Sequence, residues 1–267
     1  MNQIEAEFTL FLRENNWPSV RLALKQNKSN NRLKLLTEQE NFIGRFISDP
    51  YFLPNLESIE LLTEMAIHTT KMWNPGLTLN IYFMDGNLEN KNKVKEYANE
   101  WCQHCSIKFN FNSSLTDSDI RISFMQQGCW SYIGTDCKAS ELIDKPTMNF
   151  GWLGQLVNED EKKGIVLHEF GHALGLIHEH QSPSAKVVWS YGYIYMYFAT
   201  FYKWTNDQVN RNIFYEFDPK EIKHSELDKK SIMTYHIPPE FTINNIQFPK
   251  NLVLSTIDIK KIGEFYH

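Results

Sequence analysis

Three histidines and one glutamate stand at fixed spacings in the second half of the chain. His168 and His172 are four residues apart, so on a helix their imidazoles lie on one face and can bind the same ion. Glu169 follows the first histidine, where its carboxylate can reach a metal-activated water without binding the metal. Gly175 can adopt the left-handed conformation that ends a helix, which lets His178 turn back as a third ligand. Three protein ligands leave one position for water, which is typical of a catalytic zinc site.

The alternative interpretation of this stretch is a helix whose histidines are ordinary surface or core groups. The chain has only 9 histidines among 267 residues, so on the order of one such chain in ten thousand would match the extended pattern by chance. Asn158 and Glu161 have the spacing of a capping box, which predicts a helix that runs to about Leu174. The sequence therefore favours a helix that carries one catalytic zinc ion per chain.

A second motif, Ser231-Ile232-Met233-Thr234-Tyr235, follows downstream. With this methionine turn the chain resembles the metzincin zinc proteases, and Glu179 directly after the third histidine makes it most similar to the astacin family. The segment at 128–134 (GCWSYIG) is similar to the astacin strand that borders the cleft. The resemblance covers residues 57–267.

The resemblance implies an α+β fold in which a twisted mixed sheet lies over the zinc-binding helix, with the cleft between them. It implies a zinc metalloendopeptidase that hydrolyses peptide bonds in protein or peptide substrates, with the metal bound by His168, His172 and His178. Glu169 would be the general base. Met233 would form an apolar floor under the ligands, and Tyr235 would bind zinc or stabilise the oxyanion.

Two other functions stay open on the residues alone. A zinc-binding protein without activity could hold a protein partner in the same cleft, although pure binding would require neither Glu169 nor Tyr235. A zinc hydrolase that acts on a non-peptide bond is excluded only by the family resemblance.

The chain departs from the astacin pattern at two single positions. Astacins have arginine four residues after the third histidine, where this chain has Ser182. This difference puts the family's salt bridge between Glu179 and a buried N-terminus in doubt. The propeptide aspartate that caps zinc in the family is replaced by Arg45, so the chain lacks that particular switch.

Cysteine placement is the third departure, because no cysteine lies between Cys137 and the zinc helix to form the family's disulfide. Cys129 and Cys137 could instead bridge a local loop. Cys102 and Cys105 could be a redox or metal pair, although ordinary partly buried thiols are favoured. Close to the third ligand, His180 is interpreted either as a contact of the site or as a solvated histidine.

The chain is predicted to have two parts. The pattern is helical from about residue 4 to 47, and prolines at positions 50 and 54 indicate a boundary near residue 55. We predict an N-terminal helical extension at 1–55, either a prosegment or a delivery segment, and a catalytic domain at 56–267. Within that domain the patterns predict helices at 58–73, 91–105 and 158–174, and strands at 77–84, 107–111, 120–124 and 130–134. From residue 183 onward, weak periodicity predicts short helices and irregular structure.

Composition excludes several classes of partner. The net charge of −5 gives no positive field for nucleic acid or anionic lipid. No segment approaches the ~18 consecutive apolar residues of a membrane span. The first residues carry Glu5 and Glu7 where a secretory signal would be basic. We expect cytoplasmic residence, a signal removed from this chain, or export by a specialised route, as for the astacin-like effectors that some bacteria deliver into other cells. Oligomeric state stays open.

Overall fold

The structure is a computed structural model. It describes residues 67–126, 128–182, 185–202, 204–216, 218, 220, 222–223, 227–244 and 246–267. The predicted N-terminal extension at 1–55, its boundary with the catalytic domain and Arg45 all lie outside these residues.

The strands of the domain belong to two sheets. They are β1 (Ile67–His68), β2 (Thr78–Phe83), β3 (Lys108–Asn110), β4 (Ile120–Ser123), β5 (Cys129–Ser131), β6 (Met148–Phe150) and β7 (Ile222–Lys223). The five-stranded sheet has the order β3-β2-β4-β6-β5, and its neighbours are parallel except that edge strand β5 is antiparallel to β6. β1 and β7 form a separate antiparallel pair. The predicted mixed sheet is confirmed. Its four predicted strands are present as shorter elements, of which β5 begins one residue before its predicted start, and β6 was not predicted.

Helices pack beside this sheet, as the α+β class requires. The α-helices are α1 (Leu88–Ala98), α2 (Glu159–Ala173), α3 (Tyr191–Tyr202), α4 (Asn206–Val209) and α5 (Thr256–Phe265), and a π-helical turn follows α4 at Asn210–Phe214. Short 3-10 helices lie at Thr69–Lys71, Trp101–Gln103, Gly134–Lys138, Ser140–Leu142, Leu153–Gln155, Glu179–Gln181 and Pro239–Phe241. Among the described residues, none of these helices combines the length and apolarity of a membrane span.

Two predicted helices differ from the observed elements. The predicted helix at 91–105 is α1 followed by the 3-10 turn at Trp101–Gln103. The predicted helix at 58–73 is wrong in its described part, because Ile67 lies in β1 and also bridges to Leu176 beyond α2. Ile67 is fully buried. Pairing with distant segments therefore outweighs the local helical pattern there.

The helix that carries the candidate ligands begins as the sequence predicts. The Asn158 side chain accepts hydrogen bonds from the amides of Asp160 (2.9 Å) and Glu161 (3.4 Å), which caps α2. The acidic residues of the first turn also favour the positive end of the helix dipole. α2 packs against α1 and against the edge strand β5, so the helix that carries the candidate ligands lies beside the edge of the sheet.

The other end of α2 is held by side chains from distant parts of the domain. The Trp73 indole donates to the carbonyl of Ala173 (2.8 Å), and the Tyr266 hydroxyl donates to the carbonyl of Leu174 (2.6 Å). The Trp73 amide in turn donates to the Tyr266 hydroxyl (3.3 Å). Gly175 then turns the chain with φ of 91°, a region that favours glycine. These contacts satisfy carbonyls that a helix end otherwise leaves unpaired.

Tyr266→Phe should lower the stability of the domain. The substitution keeps the buried ring but leaves the Leu174 carbonyl without this donor, and an unpaired buried group costs about 1–3 kcal/mol. We expect the free energy of unfolding to fall by about this amount in urea titrations of the zinc-loaded protein. Tyr191→Phe, on an exposed tyrosine, is the matched control and should change it by less than about 0.5 kcal/mol. Equal stability of the two variants would contradict the proposed cap.

Candidate active site

The three predicted ligands converge on one point. His178 Nε2 lies 3.2 Å from His168 Nε2 and 3.2 Å from His172 Nε2. Among the described residues, these side chains form the group of histidine, cysteine or carboxylate residues whose ligand atoms all lie within 4.8 Å of one another. Tetrahedral zinc with Zn–N bonds of ~2.0–2.1 Å would hold its ligand nitrogens about 3.4 Å apart. The spacing therefore fits a zinc ion.

The outer nitrogen of each ligand is already engaged by an acceptor. His168 Nδ1 donates to the carbonyl of Ile232 (2.9 Å), and His172 Nδ1 donates to the carbonyl of Leu176 (3.0 Å). His178 Nδ1 lies 3.2 Å from Oε1 of Gln181. Because carbonyl oxygens only accept hydrogen bonds, they assign the proton to Nδ1 and leave the Nε2 lone pairs for a metal. The chemistry of the donor set thus agrees with its spacing.

Burial keeps these imidazoles neutral. It lowers the pKa of His168 to about 4 and that of His172 to about 3, the second helped by the neighbouring His168. Burial also holds the pKa of His178 well below its usual range. Neutral imidazole is the form that binds a metal, so no proton has to be removed at neutral pH.

Glu169, the predicted general base, is buried in α2 directly after the first ligand. Burial raises the pKa of its carboxyl to about 8. A base must be ionised to accept a proton, and a neighbouring cation favours the ionised form. A zinc ion bound by the three histidines would therefore favour the ionised form of this buried carboxyl, and shifted pKa values of this kind are typical of functional acids.

Tyr235 lies against the ligands. Its ring centroid is 4.1 Å from that of His178 and 6.2 Å from that of His168. His180 packs 5.4 Å from both the Tyr235 and His178 rings, with an angle of 18° to the latter. His180 is buried, so its interpretation as a solvated histidine is wrong. The aromatic rings together form one wall beside the three ligands.

Comparison with known proteins agrees with this geometry. The model of the astacin peptidase family matches residues 65–267. The chain belongs to the astacin family. The described part thus belongs to a family of zinc metallopeptidases, and its three-histidine cluster fits a zinc site.

Individual relatives of this astacin-family chain match over different lengths. Zinc metalloproteinase nas-24 of Caenorhabditis elegans is 32% identical over 108 residues, which are 40% of this chain and 26% of the relative. Tolloid-like protein 1 of Homo sapiens is 27% identical over 117 residues, which are 43% of this chain and 10% of the relative. The chain thus matches about a quarter or less of these relatives.

Solved structures match more of the domain. The structure of myroilysin is 35% identical with a TM-score of 0.72, and the match covers 75% of this chain and 98% of myroilysin. The hatching enzyme HCE-1 of Oryzias latipes has a TM-score of 0.50 at 17% identity, over 75% of this chain and 96% of HCE-1. The second match supports the fold alone.

The methionine turn of the astacin fold is anchored here by α5. The Asp258 carboxylate accepts hydrogen bonds from the Ser231 hydroxyl (2.6 Å) and the Ile232 amide (2.8 Å). The carbonyl of the same Ile232 accepts from His168, so α5 orients a ligand through the backbone of one residue. Sequence reasoning missed Asp258. The signal for it was the capping pattern of Ser255 and Asp258, which both cap α5 in the structure.

Met233 is fully buried beneath the zinc helix, next to a glycine that sequence reasoning also missed. A β-carbon on Gly171 would lie 2.1 Å from Met233 Sδ. Glycine inside a helix costs about 1 kcal/mol relative to alanine, and that cost was the sequence signal for a close approach. In the sequence Gly171 lies between His168 and His172. The Met233 sulfur therefore packs against the segment of α2 that carries both helical ligands.

The departures from the family pattern are visible in the structure. All four cysteines are free thiols, so the local Cys129–Cys137 bridge does not form. Burial raises the pKa of Cys102 to about 11 and that of Cys137 to about 12, which disfavours reactive thiolates.

Glu179, which the family pattern pairs with a buried N-terminus, has a backbone partner in the structure. It accepts a hydrogen bond from the Asp228 amide (3.3 Å), and burial raises the pKa of its carboxyl to about 8.

Gly171→Ala should destabilise the domain because the added carbon collides with Met233. Overpacking a buried site costs about 1–3 kcal/mol. Met233→Ala alone should cost about 2–5 kcal/mol through the cavity that it leaves. The double variant should be less destabilised than the sum, because the shorter side chain leaves room for the new carbon. Urea unfolding of the three variants measures this coupling, and strictly additive losses would contradict the packing described here.

Proposed function

We propose that this astacin-family chain is a zinc-dependent endopeptidase that cleaves protein substrates with Glu169 as its general base. One observation carries the proposal: His178 Nε2 lies 3.2 Å from the Nε2 atoms of both other histidines, and each Nδ1 atom faces an acceptor, next to a buried carboxyl on the zinc helix. A structural zinc site would use four protein ligands, whereas three leave a position for the reaction.

The residues of the site divide the work of hydrolysis. When bound, zinc would polarise the scissile carbonyl and acidify a water molecule toward a pKa of ~7. Glu169 accepts the proton of the attacking water and later delivers it to the leaving amine. Its burial keeps bulk water from competing for that proton.

Tyr235 is suited to stabilise the oxyanion. Burial, reinforced by the nearby Glu169, raises the pKa of its phenol. The hydroxyl therefore keeps its proton at neutral pH and can donate a hydrogen bond to charge that develops on the substrate oxygen. The turn that carries Tyr235 is fixed by Asp258, so the donor is held in place before the reaction.

Glu169→Gln should abolish most turnover without loss of metal. The amide keeps the shape of the side chain and all three imidazoles, but it cannot accept the proton. We expect kcat to fall by roughly 10²- to 10⁴-fold on peptides chosen from a proteome-derived library that the wild type cleaves, with a zinc chelator as the blank. Elemental analysis should still find about one zinc per chain. Glu96→Gln, on the exposed face of α1, is the control. Near-normal turnover of Glu169→Gln would refute the general-base assignment.

Tyr235→Phe should affect kcat and leave KM almost unchanged. Loss of one oxyanion donor typically lowers kcat about 10²- to 10³-fold, or about 2.7–4 kcal/mol. A contact made only in the transition state adds nothing to ground-state binding. Steady-state kinetics on the same peptides measure both constants, with Tyr191→Phe as the control. If KM rises while kcat is unchanged, the hydroxyl binds substrate and does not stabilise the oxyanion.

A further inference from the structure

The three ligands differ in what holds their outer nitrogens. His168 and His172 donate from Nδ1 to backbone carbonyls, which no side-chain substitution removes. His178 donates from Nδ1 to a side chain, the amide of Gln181 at 3.2 Å. The family pattern predicts the three zinc ligands, but it does not predict the side-chain amide of Gln181 that accepts from His178. The orientation of the third ligand thus depends on one replaceable group.

Gln181 contacts His178 at two points. Its backbone amide donates to the carbonyl of His178 (3.1 Å), and its side-chain Oε1 accepts from Nδ1 of the same residue. Both residues are fully buried, so water does not compete for either contact. The short 3-10 helix at Glu179–Gln181 supplies this geometry by folding the chain back immediately after the ligand. The imidazole ring is therefore fixed by a residue three positions away.

The proton on His178 has two possible positions before a metal binds. With no acceptor at Nδ1, the proton could occupy Nε2 and be donated to His168 or His172, whose Nε2 atoms lie 3.2 Å away. That tautomer blocks the lone pair that a metal needs. A carbonyl oxygen at Nδ1 favours the other tautomer, and a buried donor left without a partner would be costly. The Gln181 side chain thus decides between a blocked site and an open one.

We propose that Gln181 is a positioning residue that holds His178 in the Nδ1–H tautomer and presents its Nε2 lone pair to the metal. This inference rests on the zinc site and not on peptidase activity. Loss of an acceptor that orients a metal-binding histidine typically weakens metal affinity about 10- to 100-fold. Gln181 acts through His178 and touches no substrate, so its effect appears first in metal binding.

Two variants of similar size separate this role from simple packing. Gln181→Met fills the space but offers no oxygen, so zinc affinity should weaken about 10- to 100-fold. Gln181→Glu restores an acceptor, and carboxylate–histidine–zinc arrangements are common, so its zinc affinity should stay near or above that of the wild type. Gln155→Met, on an exposed glutamine, is the control and should bind zinc as the wild type does. Competition with a chelator measures each dissociation constant, and circular dichroism checks that each variant is folded.

The tautomer itself can be measured on the wild-type chain without any substitution. Nitrogen-15 NMR of the metal-free, full-length protein should report protonated Nδ1 and unprotonated Nε2 for His178, and Gln181→Met should shift the proton toward Nε2. A wild-type His178 with its proton on Nε2 would overturn the proposal. Equal loss of zinc affinity in the Met and Glu variants would also overturn it, because packing alone would then explain the effect. Neither readout involves turnover, so an inactive protein with the expected tautomer would refute the proposed peptidase and leave this role intact.

Discussion

The hydrogen bond from His168 Nδ1 to the carbonyl of Ile232 is the contact on which the rest of the site depends. It joins the zinc helix to a turn 64 positions later in the chain. That turn is fixed by Asp258 of the last helix, through the Ser231 hydroxyl and the Ile232 amide. The orientation of one imidazole is therefore set by three segments far apart in the sequence, and only the folded domain can supply it.

Packing and hydrogen bonding act together to keep the zinc helix in place. Met233 fills the space beneath Gly171, and the Trp73 indole and the Tyr266 hydroxyl satisfy the carbonyls at the end of α2. A shift of α2 would break these contacts and move His168 and His172 together. The ligands are thus held by the same contacts that stabilise the core, so stability and metal binding are coupled.

The ligand set could be predicted from the sequence because its spacing is local: His168 and His172 are one helical turn apart, and Asn158 marks the start of that helix. The four predicted strands were found from their local alternation, and the mixed sheet was implied by the family resemblance. Partners that are distant in the sequence could not be predicted, which is why the segment at Ile67 was assigned to a helix and Asp258 was overlooked. The extension at 1–55 and export by a specialised route stay predictions.

The cap on the zinc helix has a consequence for biosynthesis. Ribosomes make chains from the N-terminus, and domains generally fold as units. The zinc helix α2 emerges long before α5. The carbonyl of Leu174 therefore lacks its donor until the Tyr266 hydroxyl, 92 positions later, has been synthesised. A nascent chain therefore contains all three histidines while the Ile232 carbonyl that orients His168 and the Tyr266 hydroxyl that caps the helix are still missing. The order of synthesis thus delays the contacts from His168 to the Ile232 carbonyl and from that turn to Asp258 until α5 has emerged.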